Sequence, residues 1–261
     1  MGVFFALDPE GFFLGVLDGE VIGCCSGVAY DDTYGFVGYY IVDPAHRGKG
    51  YGLPLFERVM ARLGPGRNIG LDGEPEQVGN YVKSGFTSHY ESVRFQIKGQ
   101  GLSGPHDEGA GGVTLVAARD VDMAAISAYD AQSHATPRPR LLEAWSCIGG
   151  TAGFAAMGDG CAIEGYGFMR PLADAETKGW RIGPLVADSP VVAAALLQRL
   201  CQQLPPTTTF YLDVPGANAD TLALMAAVHA TRMHACTRMY TRSPPLVAIR
   251  KCFAHLSLEV G

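Results

Sequence analysis

Residues 99–112 hold six glycines in fourteen positions, with Ser, Pro, Asp and Glu among them and one large apolar side chain, Leu102. Such a segment cannot bury enough apolar surface to offset the entropy of ordering it, so it predicts a linker. It divides the chain into two modules, 1–98 and 113–261, and any fold has to be built twice or in two parts. The halves echo each other. Leu17-Asp18-Gly19-Glu20-Val21-Ile22-Gly23 matches the outline of Gly158-Asp159-Gly160-Cys161-Ala162-Ile163-Glu164, and Gly70-Leu71-Asp72-Gly73-Glu74-Pro75 that of Tyr211-Leu212-Asp213-Val214-Pro215. The pattern predicts two related α+β modules in tandem.

In the first module, Phe12–Leu17 and Glu20–Tyr30 read as strands joined by the Asp18-Gly19 turn. Tyr34–Val42 has little polar alternation, which suits a strand covered on both faces. A glycine-rich loop at Arg47–Gly52 leads into a helix ending near Leu63, with Leu53, Phe56, Val59, Met60 and Leu63 at helical spacing. Pro54 is tolerable there only in the first turn. Asn68–Leu71 is a short strand, Pro75–Ser84 a helix stopped by Gly85, and Ser88–Ile97 a last strand. The second module predicts strands at Thr114–Ala117, Phe154–Met157, Cys161–Arg170, Trp180–Val186, Phe210–Asp213 and Met233–Thr241. Its helices are predicted at Val121–Gln132, Pro139–Ile148, Pro190–Gln203 and Ala217–Ala230. It opens with a strand and two helices before its hairpin, whereas the first module begins almost at its hairpin and lacks them. The strand edge this leaves must be covered by the second module, by Ser243–Gly261 or by a second chain, which would make a homodimer.

With 20 basic against 26 acidic residues the net charge is −6, so a nucleic acid or an anionic membrane is not the expected partner. Seven cysteines without a Cys-x-x-Cys pair read as reduced thiols, and no apolar run approaches a membrane span. No signal peptide is legible, so the expected location is cytoplasmic. His229 and His234 are five apart, wrong for one helical face, and no metal is expected.

The stretch that carries chemistry is Tyr39-Tyr40-Ile41-Val42-Asp43-Pro44-Ala45-His46-Arg47-Gly48-Lys49-Gly50-Tyr51-Gly52. Strand, glycine loop and helix start follow one another. The glycines let several N–H groups converge, the helix N-terminus adds its positive dipole end, and Arg47 and Lys49 add charge, which makes a cradle for pyrophosphate. A Walker loop fails because Gly50 follows Lys49. A dinucleotide fingerprint fails because Leu53 stands where its third glycine belongs. His46 reads as a solvated loop residue. Asp72 ends a predicted parallel strand, where such sheets place functional groups, and is the first candidate for a general base, with Asp32 second.

Arg47-x-x-Gly50-x-Gly52 after a strand ending Val42-Asp43-Pro44 resembles the coenzyme A loop of the GNAT N-acetyltransferase superfamily. Asn80-Tyr81-Val82-Lys83-Ser84-Gly85-Phe86 resembles a second motif of that family, in which a Tyr four residues before Gly-Phe lies beside the coenzyme A sulfur. The resemblance implies two tandem GNAT-like modules, each a mixed, mostly antiparallel twisted sheet flanked by helices. It implies acetyl-CoA as co-substrate, held by Tyr40, Ile41, Val42, Arg47, Gly48, Lys49, Gly50, Tyr51, Gly52 and Asn80, with Tyr81 as general acid. It implies acetyl transfer to a primary amine of a small molecule by direct attack; a non-catalytic acyl-CoA-binding regulatory module is the alternative. Two departures stand out. Glu74 replaces the family's usual Asn, and in the second module Gly183-Pro184-Leu185-Val186-Ala187-Asp188-Ser189-Pro190 replaces the glycine loop, so that module is expected to be degenerate.

Overall fold

The structure is a computed structural model that describes residues 2–5, 7–102, 112–172 and 179–261. Most of the predicted linker, 103–111, lies outside the described residues. Asp18 and Gly19 both adopt positive φ, 51° and 87°, which matches the twist of a two-residue hairpin. They join β1 (Phe12–Leu17) to β2 (Glu20–Ala29), which are preceded by the short helix α1 (Gly2–Phe5). Next come β3 (Tyr34–Val42), α2 (Gly52–Leu63), β4 (Asn68–Gly73), α3 (Val78–Lys83) and β5 (Thr87–Lys98). Pro54 falls in the first turn of α2, where its missing N–H costs no helical bond. The predicted helix from Pro75 opens with a 3-10 turn, Pro75–Gln77, and Gly85 closes α3 with φ 89°.

The second half runs β6 (Thr114–Ala117), α4 (Met123–Asp130), α5 (Pro139–Ser146), β7 (Ala152–Met157), β8 (Ile163–Pro171), β9 (Trp180–Ala187), α6 (Pro190–Cys201), β10 (Thr209–Pro215), α7 (Ala219–Ala227) and β11 (Thr231–Tyr240). A last strand that the sequence does not announce, β12 (Cys252–Ala254), follows. No helix among the described residues is long and apolar enough to cross a membrane.

The two compact units do not coincide with the two halves of the chain. One comprises Met1–His89, Thr237–Pro245 and Leu258–Gly261; the other comprises Tyr90–Cys236 and Leu246–Ser257. The chain therefore passes from unit to unit inside β5 and again inside β11. Linker composition cannot reveal this, because strand pairing and not chain flexibility sets which residues share a core.

In the first unit the strand order is β1-β2-β3-β4-β11. β3 runs parallel to β4, and the other pairings are antiparallel. α2 lays Phe56, Val59 and Leu63 on one face of this sheet, against Val37, Ile69, Leu71 and Met239. The other face carries the C-terminal tetrapeptide, whose Val260 carbonyl accepts a 2.6 Å hydrogen bond from the Tyr30 hydroxyl. Among the described residues β1 pairs with β2 alone, so the C-terminal segment covers a sheet face and not the outer edge of β1.

The second unit orders its strands β5-β10-β9-β8-β7-β6. α6 buries Val192, Leu196 and Leu200 among its apolar residues. Here β9 pairs with β10 only at Trp180 and Arg181 and then leaves it. β12 enters the wedge, with Cys252 opposite Val186 and Ala254 opposite Leu185, while the His255 N–H donates to the Asp213 carbonyl at 2.8 Å. The buried Asn218 amide donates to the carbonyls of Arg250 at 3.0 Å and Cys252 at 2.9 Å.

Each unit pairs a buried strand carboxylate with an arginine directly opposite it, at corresponding places. Opposite Asp72 on β4 stands Arg238 of β11, with a two-pronged contact at 2.9 and 2.8 Å. Opposite Asp213 on β10 stands Arg94 of β5, at 2.7 and 2.9 Å, and Arg181 also pairs with Asp213. The Asp72 and Arg238 side chains are 1% and 4% exposed, so removing one partner strands the other charge. Arg238→Met is expected to cost about 3–5 kcal/mol. Arg94→Met should cost clearly less, since Arg181 continues to neutralise Asp213 and Arg94 is 29% exposed. Urea midpoints of the two variants check the order; equal losses would refute it.

Candidate active site

The site begins where two parallel strands part. β3 pairs with β4 from Tyr34 to Val37 only, whereas it stays paired with β2 to Val42. From Gly38 onward one edge of β3 therefore faces an opening wedge. A β-bulge sits at the same point: Gly38 lies opposite Ser26 and Ile41 opposite Cys24, so Tyr39 and Tyr40 share the place opposite Cys25. Tyr39 takes φ 47° to accommodate it. The extra residue turns the Tyr40 ring towards α2, 5.5 Å from that of Phe56.

Beyond the strand, Asp43 caps a 3-10 turn, accepting from the Ala45 N–H at 2.8 Å and lying 3.2 Å from His46 Nδ1. The Ala45 bond, and then the His46 bond, hold the Asp43 carboxyl below its ordinary range. Arg47 Nε donates to the Val42 carbonyl at 2.8 Å, which fastens its guanidinium to the end of β3. Gly48 and Gly50 adopt φ 73° and 85°, a region that strongly favours glycine, and α2 starts at Gly52. On the opposite wall, α3 presents Tyr81, 9% exposed, whose ring lies 5.8 Å from Phe56 and 6.1 Å from Phe86. A Cβ on Gly73 would come within 2.9 Å of the Tyr81 ring, so the glycine at the end of β4 lets that ring close onto the strand.

These elements enclose a cleft of about 550 Å³ in the first unit. Tyr40, Ile41 and Val42 of β3, then Arg47, Gly48, Gly50, Tyr51 and Gly52, and Asn80 and Tyr81 of α3 all line it. Two predicted residues stand elsewhere. Lys49, exposed between two left-handed glycines, is not in the lining. Asp72 is not in the lining either, because its carboxylate is turned into the buried pair with Arg238. Asp32, the second candidate base, is exposed and 3.3 Å from Arg67, outside the cleft. In place of both, Glu74 and Glu76 bring carboxylates to the wall, and His46, Leu53 and Gln77 complete it. Position in the strand-to-helix connection, Glu74–Gln77, is the signal that could have placed these residues.

Two stretches of the chain match acetyltransferase families: residues 1–73 match the description "Acetyltransferase (GNAT) family", and 126–253 match "Acetyltransferase (GNAT) domain". The chain is 33% identical over 259 residues, 99% of its own length and 84% of the other's, to a holothin acyltransferase of Pseudoalteromonas sp. (strain SANK 73390). A solved structure from Pyrococcus horikoshii superposes over the whole chain and 83% of its own, with a TM-score of 0.82 at 23% identity. A tandem GNAT protein from the clavulanic acid biosynthesis pathway matches 91% of this chain and 85% of its own, with a TM-score of 0.66 at 14% identity. The α+β fold and these matches together define an acyltransferase. The chain belongs to the GNAT acyltransferase family, in its tandem form.

The cradle is testable by charge. Gly50→Asp places a carboxylate where N–H groups converge and forces a side chain onto φ 85°. The folded variant is expected to lose measurable CoA binding by calorimetry. Wild type should bind one CoA per chain, because the corresponding wedge of the second unit is filled by β12; a stoichiometry of two would refute that.

Proposed function

We propose that this chain transfers the acetyl group of acetyl-CoA to a primary amine of a small molecule. The observation that carries the reading is the cleft itself, with a cationic glycine cradle at a helix N-terminus on one side and a phenol and carboxylates on the other. The residues present fit an acyl-CoA. Arg47 and the open positions at Gly48 and Gly50, where an added Cβ would meet nothing within 4 Å, suit a phosphate group. The co-substrate would supply an activated thioester; everything else falls to this chain.

The bulged end of β3 offers backbone N–H groups on the edge released from β4, where they can donate to a thioester carbonyl and favour the charge that develops on its oxygen. Tyr81 supplies a proton to the departing thiolate. Its ring is held by Phe56 and Phe86, so its direction is set before any ligand arrives. With Asp72 committed to Arg238 and Asp32 outside the cleft, Glu74 and Glu76 are the carboxylates placed to draw in an ammonium and relay its proton to water. The similarity to a holothin acyltransferase supports acyl transfer as the reaction class.

Two measurements test this. Acetyl-CoA should raise the midpoint of thermal unfolding, by roughly 2.7 kcal/mol of added stability at a hundredfold excess over Kd. An amine panel should then release free thiol; binding without release to any amine would favour a non-catalytic acyl-CoA-binding module instead. Tyr81→Phe should retain CoA affinity and lower kcat by about 10²-fold, the low end for general acid catalysis, because a thiolate is already a tolerable leaving group. Wild-type turnover at saturation would remove Tyr81 from the mechanism.

A further inference from the structure

Tyr40 is an unusual occupant for the floor of an anion cradle. Its ring packs on Phe56, but its hydroxyl has no hydrogen-bond partner among the described residues, although the side chain is only partly exposed and lines the cleft. The hydroxyl lies directly at the start of α2. A Cβ built on Gly52, the first residue of that helix, would fall 2.6 Å from it. Any other residue at 52 would displace the phenol, so Gly52 has a second role besides flexibility: it makes room for this oxygen. The first-turn N–H groups of a helix have no intrahelical acceptors and carry the positive end of its dipole. Burial, and then the neighbouring Cys25, push the Tyr40 phenol above its ordinary pKa, so at neutral pH it keeps its proton.

We propose that the Tyr40 hydroxyl is a donor to the pyrophosphate of the acyl carrier, completing with the Arg47–Gly52 loop a set of donors that one anion closes. The inference rests on the reading of the cleft as an acyl-CoA site and adds to it a side-chain contact from the strand itself. Three features agree on an anion as the ligand: a protonated phenol, a helix N-terminus of a twelve-residue helix beside it, and the Arg47 guanidinium fastened at the end of the same strand. A neutral amide would use the hydroxyl without needing the other two. The Tyr40 and Tyr81 rings both pack on Phe56, at 5.5 and 5.8 Å respectively, and the proposal assigns the two phenols to different parts of one extended ligand.

The test is Tyr40→Phe, which keeps the ring and its packing and removes the donor alone. Affinities of CoA, 3′-dephospho-CoA and pantetheine are measured by calorimetry on both proteins. Loss of a hydrogen bond to a charged group, partly replaced by water in an open cleft, is expected to weaken CoA about tenfold. The same loss should hold for 3′-dephospho-CoA, which keeps the pyrophosphate, and vanish for pantetheine, which lacks it. Equal CoA affinity in the variant overturns the proposal and leaves the acyl-CoA reading intact. An equal penalty on pantetheine also overturns it, by moving the hydroxyl to the other end of the ligand. If wild type binds none of the three, the acyl-CoA reading fails and this assignment fails with it.

Discussion

The fold turns on a carboxylate that each repeat places at the same point of its short parallel strand, Asp72 on β4 and Asp213 on β10. Neither could be buried alone, since an unpaired charge in a sheet costs several kcal/mol. Each is matched by an arginine directly opposite on an antiparallel strand, and that strand comes from the other half of the chain. Arg238 reaches Asp72 from 166 residues away, and Arg94 reaches Asp213 from 119. The pairing sets register, because a shift of one residue would turn the guanidinium to the opposite face. It also makes each unit depend on a strand supplied from far along the sequence.

With β4 thus paired on its far side, the parting of β3 and β4 opens the cleft in the first unit's sheet. Both units part their parallel pair, and the outcomes differ. In the first the wedge stays open and is flanked by glycines, phenols and an arginine. In the second the chain fills it with β12, clasped by Asn218. The local repeat shows how the substitution is made. Counting six residues from the proline that ends or follows each short strand, Pro75 leads to Tyr81 and Pro215 to Thr221. Tyr81 lines a cleft, while the Thr221 hydroxyl donates to the Cys252 carbonyl of the inserted strand at 3.4 Å. One position thus serves a cavity in one repeat and a backbone clasp in the other.

Electrostatics within the open cleft follow from which charges the fold has already spent. Asp72 is neutralised by Arg238 and Asp32 lies beside Arg67, so neither contributes a carboxylate to the lining. The remaining acids, Glu74 and Glu76, sit on the connection into α3, and the cations sit on the connection into α2. The cleft is polarised along its length by loops, while the strands supply its backbone donors and aromatic floor.

Local sequence determined the hairpin at Asp18-Gly19, the span of α2 with Pro54 in its first turn and the glycine entry to the cradle. In each case neighbours a few residues apart impose the geometry, through φ preferences, helical spacing or a missing N–H. The tertiary structure alone decided that β5 and β11 complete units other than those their halves suggest, that the Asp72 carboxylate is turned into a buried ion pair with Arg238, and that β12 closes the second wedge. Lys49 belongs with these, because two left-handed glycines set the direction of the residue between them. These outcomes depend on partners 34 to 166 residues distant or on the sum of several backbone angles. No pattern within a window of sequence encodes either one.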